Sequence, residues 1–140
     1  MNHKDLQVWI QSMELVTVVY KLTEQLPKNE DFGLKSQLQR AAVSIPTNIA
    51  EGAGRNHQKE NIQFCHVSLG SLTEVETLLI ISNKIYQIQT DTISKMLQRT
   101  KELLLGYIRY LKRSIGRETG GVRRETGGVR RETGGVKREA

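Results

Sequence analysis

The chain has 140 residues, 21 Lys+Arg against 15 Asp+Glu, and a formal charge of +6. That suits one domain with a mild basic bias, which permits nucleic acid or an acidic partner without identifying either. The single cysteine, Cys65, excludes an internal disulfide. Together with an N-terminus, MNHKDLQVW, that lacks an apolar signal core, it predicts a reducing, cytoplasmic setting. The longest purely apolar run, residues 78–81, is far too short to span a bilayer, so no membrane partner is expected.

The apolar pattern predicts four helices. The first covers about residues 4–25. Trp9, Met13, Val16 and Tyr20 make one stripe, and Val8, Leu15, Val19, Leu22 and Leu26 make the stripe beside it, so a wide face is expected to be buried. Trp9 and Tyr20 read as core or subunit interface. Leu26-Pro27 ends this helix.

The second helix lies within residues 32–55, FGLKSQLQRAAVSIPTNIAEGAGR. Leu34, Leu38, Ala42, Ile45 and Ile49 recur every three or four positions and define a core face. Arg40, Ser44, Thr47, Glu51 and Arg55 define a polar one. Ala41, Ala42, Ala50, Gly52 and Ala53 remove bulk and invite a close neighbour. Pro46 lacks an N–H and crowds the preceding turn, which predicts a kink.

A third helix covers about residues 57–87. Its expected core stripe is Ile62, Cys65, Leu69, Leu72 and Leu79, with Val75 and Leu78 adjacent. Glu76 falls inside that pattern, where a carboxylate must be paired, exposed at an edge or protonated; the expected partner is Arg40 or Arg55. Gly70, between Ser68 and Ser71, predicts a close helix crossing.

Thr90-Asp91-Thr92 supplies a cap for a fourth helix over about residues 92–114. Ile93, Leu97, Leu104, Tyr107, Ile108 and Leu111 are expected to face the core. Lys95, Arg99, Arg109 and Arg113 line up on the other side, interrupted by Glu102 and Gly106, with Lys101 and Lys112 flanking them. Such a stripe is either a solvated face or a surface for phosphate or an acidic partner.

Gly116 is the expected end of the folded domain, residues 1–116. Residues 117–140 are a repeat: RETGGVR, RETGGVR, RETGGVK, then Arg138-Glu139-Ala140. Seven residues is the coiled-coil period, but each unit has two glycines and one valine. That is too little apolar surface to offset the entropy of ordering, so this low-complexity tail is expected to be disordered, with frayed helix near Arg117. Its paired arginines read as weak nucleic-acid contacts or as the product of a tandem duplication.

No catalytic, cofactor-binding or metal-ligating set is apparent. His3, His57 and His66 are scattered, and no phosphate loop is present. Cys65 and His66, adjacent on a helix, point about 100° apart and do not form a nucleophile–base pair. The chain is expected not to be an enzyme.

Val8-Trp9, residues 19–23, Pro27, the whole of residues 32–55, Lys59-Glu60 and the run GSLTEVE at 70–76 resemble the bacterial 23S rRNA intervening-sequence proteins. More distantly they resemble the accessory variability proteins of diversity-generating retroelements. The likeness covers roughly residues 5–114 and marks Pro46, Asn48, Glu51, Gly52 and Glu76 as structural positions. It implies an all-α, antiparallel up-down-up-down four-helix bundle that assembles into a homopentamer. It also implies a non-enzymatic nucleic-acid or ribonucleoprotein accessory or, for the retroelement branch, a partner of a reverse transcriptase that contacts RNA or DNA. Two positions depart from the family pattern: Gln39 precedes Arg40 where two basic residues are usual, and Asn61 stands where an aromatic is usual. On this reading the residues that contact nucleic acid or an acidic partner are Arg40, Arg55, Lys95, Arg99, Lys101, Arg109, Lys112 and Arg113. The alternative is a structural or protein-interaction module whose charges serve solubility and subunit pairing.

Overall fold

A computed structural model describes residues 2–125, with side chains through Gly116. Four α-helices carry the chain: α1 (Gln7–Thr23), α2 (Leu34–Ala53), α3 (Gln58–Tyr86) and α4 (Asp91–Glu125). Two short 3-10 turns, His3–Asp5 and Lys28–Glu30, precede α1 and α2. The described residues contain no strand. Each helix packs on its neighbour in sequence and α4 packs back on α1, while among the described residues no Cα of α2 comes within 8 Å of one in α4. This is the all-α bundle that the four apolar stripes predict.

The core consists of the stripes themselves. Leu15, Val19, Leu38, Ile45, Ile49, Leu72, Val75, Leu79 and Leu104 are essentially sealed from solvent. Burying one such side chain contributes about 1.5–3 kcal/mol, so a continuous column of them holds four helices together. All five expected core positions of α2 are buried.

Polar contacts set the ends. One carboxylate, Glu30, receives the Leu34 amide at 3.0 Å and the Tyr86 hydroxyl at 2.5 Å. It therefore satisfies a free N–H at the start of α2 and holds the last residue of α3 there. At the opposite end Gly52 of α2 lies against Asn61 and Phe64 of α3: a Cβ on Gly52 would stand 2.6 Å from Asn61 Oδ1 and 2.9 Å from Phe64 Cβ. These two junctions make α2 and α3 run in opposite directions. Between them Ser44 and Ser71 share a hydrogen bond of 2.8 Å, and Ser68 donates to the Ile45 carbonyl at 2.8 Å. Small polar side chains thus let the two backbones approach. Thr23 Oγ1 accepts from Gln39 Nε2 at 3.2 Å and ties the end of α1 to α2. α3 ends on Gln87, whose φ of 56° places it in the left-handed region and turns its N–H back to the Asn83 carbonyl.

Pro46 is buried inside a continuous α2. Beside it Thr47 Oγ1 donates to the Val43 carbonyl and Asn48 Nδ2 to the Ser44 carbonyl, both at 2.8 Å. These side chains add donors in the turn from which the proline withholds one.

Several expectations change. Glu76 is exposed and pairs with neither arginine; Arg40 donates to Ser36 Oγ and Arg55 pairs with Glu51. The reason is a rotation of the buried stripe of α3, which runs through Asn61, Cys65, Ser68, Leu72, Val75 and Leu79 and leaves Ile62 and Leu69 half-buried. Gly70 is exposed and a Cβ there would meet nothing, so the close crossing is at Gly52 and not at Gly70. On α1, Val8, Leu15, Val19 and Leu22 are buried, whereas Met13 and Tyr20 are exposed. Tyr20 is therefore not a core residue of this chain. The backbone of α4 continues past Gly116 to Glu125, so the helix reaches into the repeats instead of ending before them. The disorder expected of the remaining repeats lies outside the described residues.

By length and composition α3 is apolar enough to cross a membrane: its best 18-residue window has mean hydropathy 1.4. A longest-run count misses this because isolated serines and threonines interrupt the apolar residues. Here α3 packs on α2 and α4 and buries Asn61, Ser68, Ser71 and Ser82 in those contacts, as a core helix does.

Candidate nucleic-acid interface

The helical repeat of α4 turns successive residues by about 100°. Lys95, Arg99, Glu102, Gly106, Arg109 and Arg113 therefore fall along one line, opposite Ile93, Leu97, Leu104 and Ile108. The burial pattern agrees: the apolar set is buried and all five charged residues are exposed. From Lys95 to Arg113 the line is about 27 Å long at 1.5 Å per residue. Only two ion pairs form among the described residues, Lys35–Asp31 and Arg55–Glu51, so the four cations of this line are unpaired. Arg109 folds back along it, with Nη2 3.7 Å from where a Cβ on Gly106 would stand.

The other basic candidates are divided among separate places. Lys101, half-buried, and Lys112, exposed, sit about 100–120° round the helix from the line. Arg40 lies on α2, whose backbone stays more than 8 Å from that of α4 among the described residues, and is not brought to this surface. It borders a groove between α1 and α2 whose walls include Tyr20, Phe32, Val43 and Thr47. The groove continues past Val16 and Pro46 to Trp9, which meets the His3 ring edge-on at 5.2 Å. Phe32 is 99% exposed and Tyr20 43% exposed, and the α1 stripe of Trp9, Met13, Val16 and Tyr20 lines this groove.

Arg55 lies elsewhere, at the turn from α2 to α3. Its Nη2 is 3.0 Å from Glu51 Oε2, and its guanidinium carbon is 4.9 Å from the centre of the Phe64 ring. With Asn56, His57 and Gln58 it lines a cleft whose far wall is Tyr107, Tyr110 and Leu111 of α4. Asn61 forms part of this cleft. It is 7% exposed, donates from Nδ2 to the Tyr107 hydroxyl at 3.1 Å, and accepts from the Cys65 thiol at 3.7 Å. Burial raises the Tyr107 hydroxyl above its ordinary pKa and pushes the Cys65 thiol up to about 11. Such a thiol is not a nucleophile at neutral pH.

The structural positions are likewise accounted for. Gly52 is the contact with α3, Glu51 anchors Arg55, Asn48 bonds back to Ser44, Pro46 lines the groove, and Glu76 is at the surface. Among the described residues no cluster of His, Cys, Asp and Glu could hold a metal ion. The sequence reading did not single out Tyr110. Its spacing of three from Tyr107 was the available signal, since that spacing places two rings on one helix face.

The fold and surface define a four-helix-bundle protein whose last helix carries a row of cations without ion-pair partners among the described residues. Residues 4–106 match the model of the 23S rRNA-intervening sequence proteins, and the chain belongs to that family. No curated protein matches the chain.

Proposed function

We propose that this chain is a non-enzymatic, cytoplasmic accessory protein of rRNA that acts as a homo-oligomer and contacts RNA through α4. The observation that carries the reading is the line Lys95, Arg99, Arg109 and Arg113: four exposed cations with no ion-pair partner among the described residues. Cations that serve folding are usually paired or cover apolar surface, as Arg55 does over Phe64. Cations left free on an outer face attract phosphates. The family supports a role connected with rRNA. The groove between α1 and α2 supports self-association, because Met13, Tyr20, Phe32 and Val43 stay exposed in one chain. The family resemblance makes five the expected number of copies.

The test is RNA binding followed by fluorescence anisotropy across salt concentrations. Four phosphate contacts predict a slope of log K against log salt of about −3 for single strands. Charge reversal of Arg99 and Arg109 should weaken binding and flatten the slope. No binding by the unaltered protein at low salt would leave a purely structural assembly as the better reading. In sedimentation velocity, Tyr20→Glu with Val43→Glu should lower the oligomer mass. A reverse-transcriptase gene beside the coding sequence would instead point to an RNA-bound enzyme as partner.

A further inference from the structure

We infer that the cleft between the α2–α3 turn and α4 seats one unstacked base of a single-stranded RNA, with Tyr110 as its stacking platform. The inference rests on the reading of this chain as an RNA-contacting protein and names a site beside the row of cations.

Tyr110 is 52% exposed although it lies beside a buried junction. Its ring is nearly parallel to that of Tyr107, 14° apart with centroids separated by 6.4 Å. Tyr107 is held in turn by the Asn61 amide. One ring is therefore fixed in the fold, and the second is aligned with it and open to solvent. An aromatic face held in this way stacks on any base, because every base presents a π-face.

The cleft matches the rest of a nucleotide. Its volume is about 410 Å³, within the usual size of small-ligand sites. Leu6 and Leu111 supply apolar lining, and Asn56, His57 and Gln58 supply the hydrogen-bonding groups that base edges require. Arg55 stands on the opposite wall, held by Glu51 and Phe64. Arg113 follows Tyr110 by three residues and belongs to the unpaired row, so a strand whose base enters the cleft has phosphate contacts leading out of it. A duplex keeps its bases stacked on one another and has no free face for Tyr110; it engages only the cations.

The test uses the full-length purified protein with a short single-stranded RNA and a duplex of equal length. Tyr110→Ala should weaken single-strand binding about tenfold and leave duplex binding and the salt slope unchanged. Tyr110→Phe, which keeps the ring, should bind as the parent does. Ultraviolet crosslinking of the unaltered protein to single-stranded RNA, read by mass spectrometry, should place the adduct on Tyr110. If single-strand binding is intact in Tyr110→Ala and no adduct maps to Tyr107 or Tyr110, the cleft is not a base site, while the α4 reading stands. If the unaltered protein binds no RNA at low salt, both fall.

Discussion

Asn61 Nδ2 donates to the Tyr107 hydroxyl across 3.1 Å and joins residues 46 apart in the chain. This bond ties the first turn of α3 to the middle of α4 and shapes one wall of the cleft. Tyr107→Phe would leave the Asn61 amide buried without its acceptor. A loss of about 1–3 kcal/mol is expected. Tyr110→Phe removes a hydroxyl that makes no hydrogen bond among the described residues and should be close to neutral. Urea unfolding at one fixed protein concentration compares them.

Gly52 and Gly70 make a matched pair with opposite outcomes. A methyl group on Gly52 meets Asn61 Oδ1, Phe64 Cβ and, at 3.1 Å, the Asn61 carbonyl. Gly52→Ala should cost about 1–3 kcal/mol through overpacking. A methyl group on Gly70 meets nothing, so Gly70→Ala should stabilise α3 by about 0.5–1 kcal/mol through helix propensity. Thermal melts followed by circular dichroism should move in opposite directions. Equal shifts would contradict the packing described at Gly52.

Glu30 predicts a pH dependence. The Leu34 amide first, and the Tyr86 hydroxyl second, hold its carboxyl below the usual value of 4.5. A lowered folded pKa gives stability that is complete above the ordinary carboxylate pKa and is lost as pH falls through the folded one. Urea midpoints should therefore decline as the solution is acidified below about pH 4.5. Glu30→Gln should start lower at neutral pH and decline less over that window. An unchanged acid profile in the variant would mean that Glu30 does not supply the dependence.

Cys65 offers a probe of opening. With its pKa pushed to about 11 and its side chain sealed from solvent, its thiolate fraction near pH 8 is on the order of 0.1%. Iodoacetamide should label it slowly in the native protein and rapidly in urea. Gly52→Ala should speed native labelling, because Asn61 lies between Gly52 and the thiol. Fast labelling of the native parent would contradict the burial.

Much of the bundle was legible in the chain. α2 was the clearest element, since Leu34, Leu38, Ala42, Ile45 and Ile49 repeat at helical spacing and all are buried. α3 was harder. Serines and an asparagine occupy its innermost positions, and their hydroxyl and amide groups are satisfied there by Ile45, Ser44 and Tyr107. A pattern that treats polar residues as outward-facing rotates such a helix, and that rotation brings Glu76 inside the expected stripe. On α1 two apolar stripes competed, and periodicity alone does not say which one this chain covers. The line of cations on α4 was visible from spacing; that it is unpaired was not.

By itself, then, the sequence determined four amphipathic helices and the basic row of α4, whereas α1 ends at Thr23, ahead of the expected stop at Leu26-Pro27. Those follow from local propensity and from the 3.6-residue period, which act along the chain. The tertiary structure alone decided that Gly52, not Gly70, takes the close contact, that Glu76 faces solvent, that Arg40 and Arg55 are set apart, and that Tyr107 and Tyr110 form a cleft with the α2–α3 turn. Each of these depends on the rotation of one helix against another, and rotation is set by the pairing of side chains distant in sequence, such as Asn61 with Tyr107.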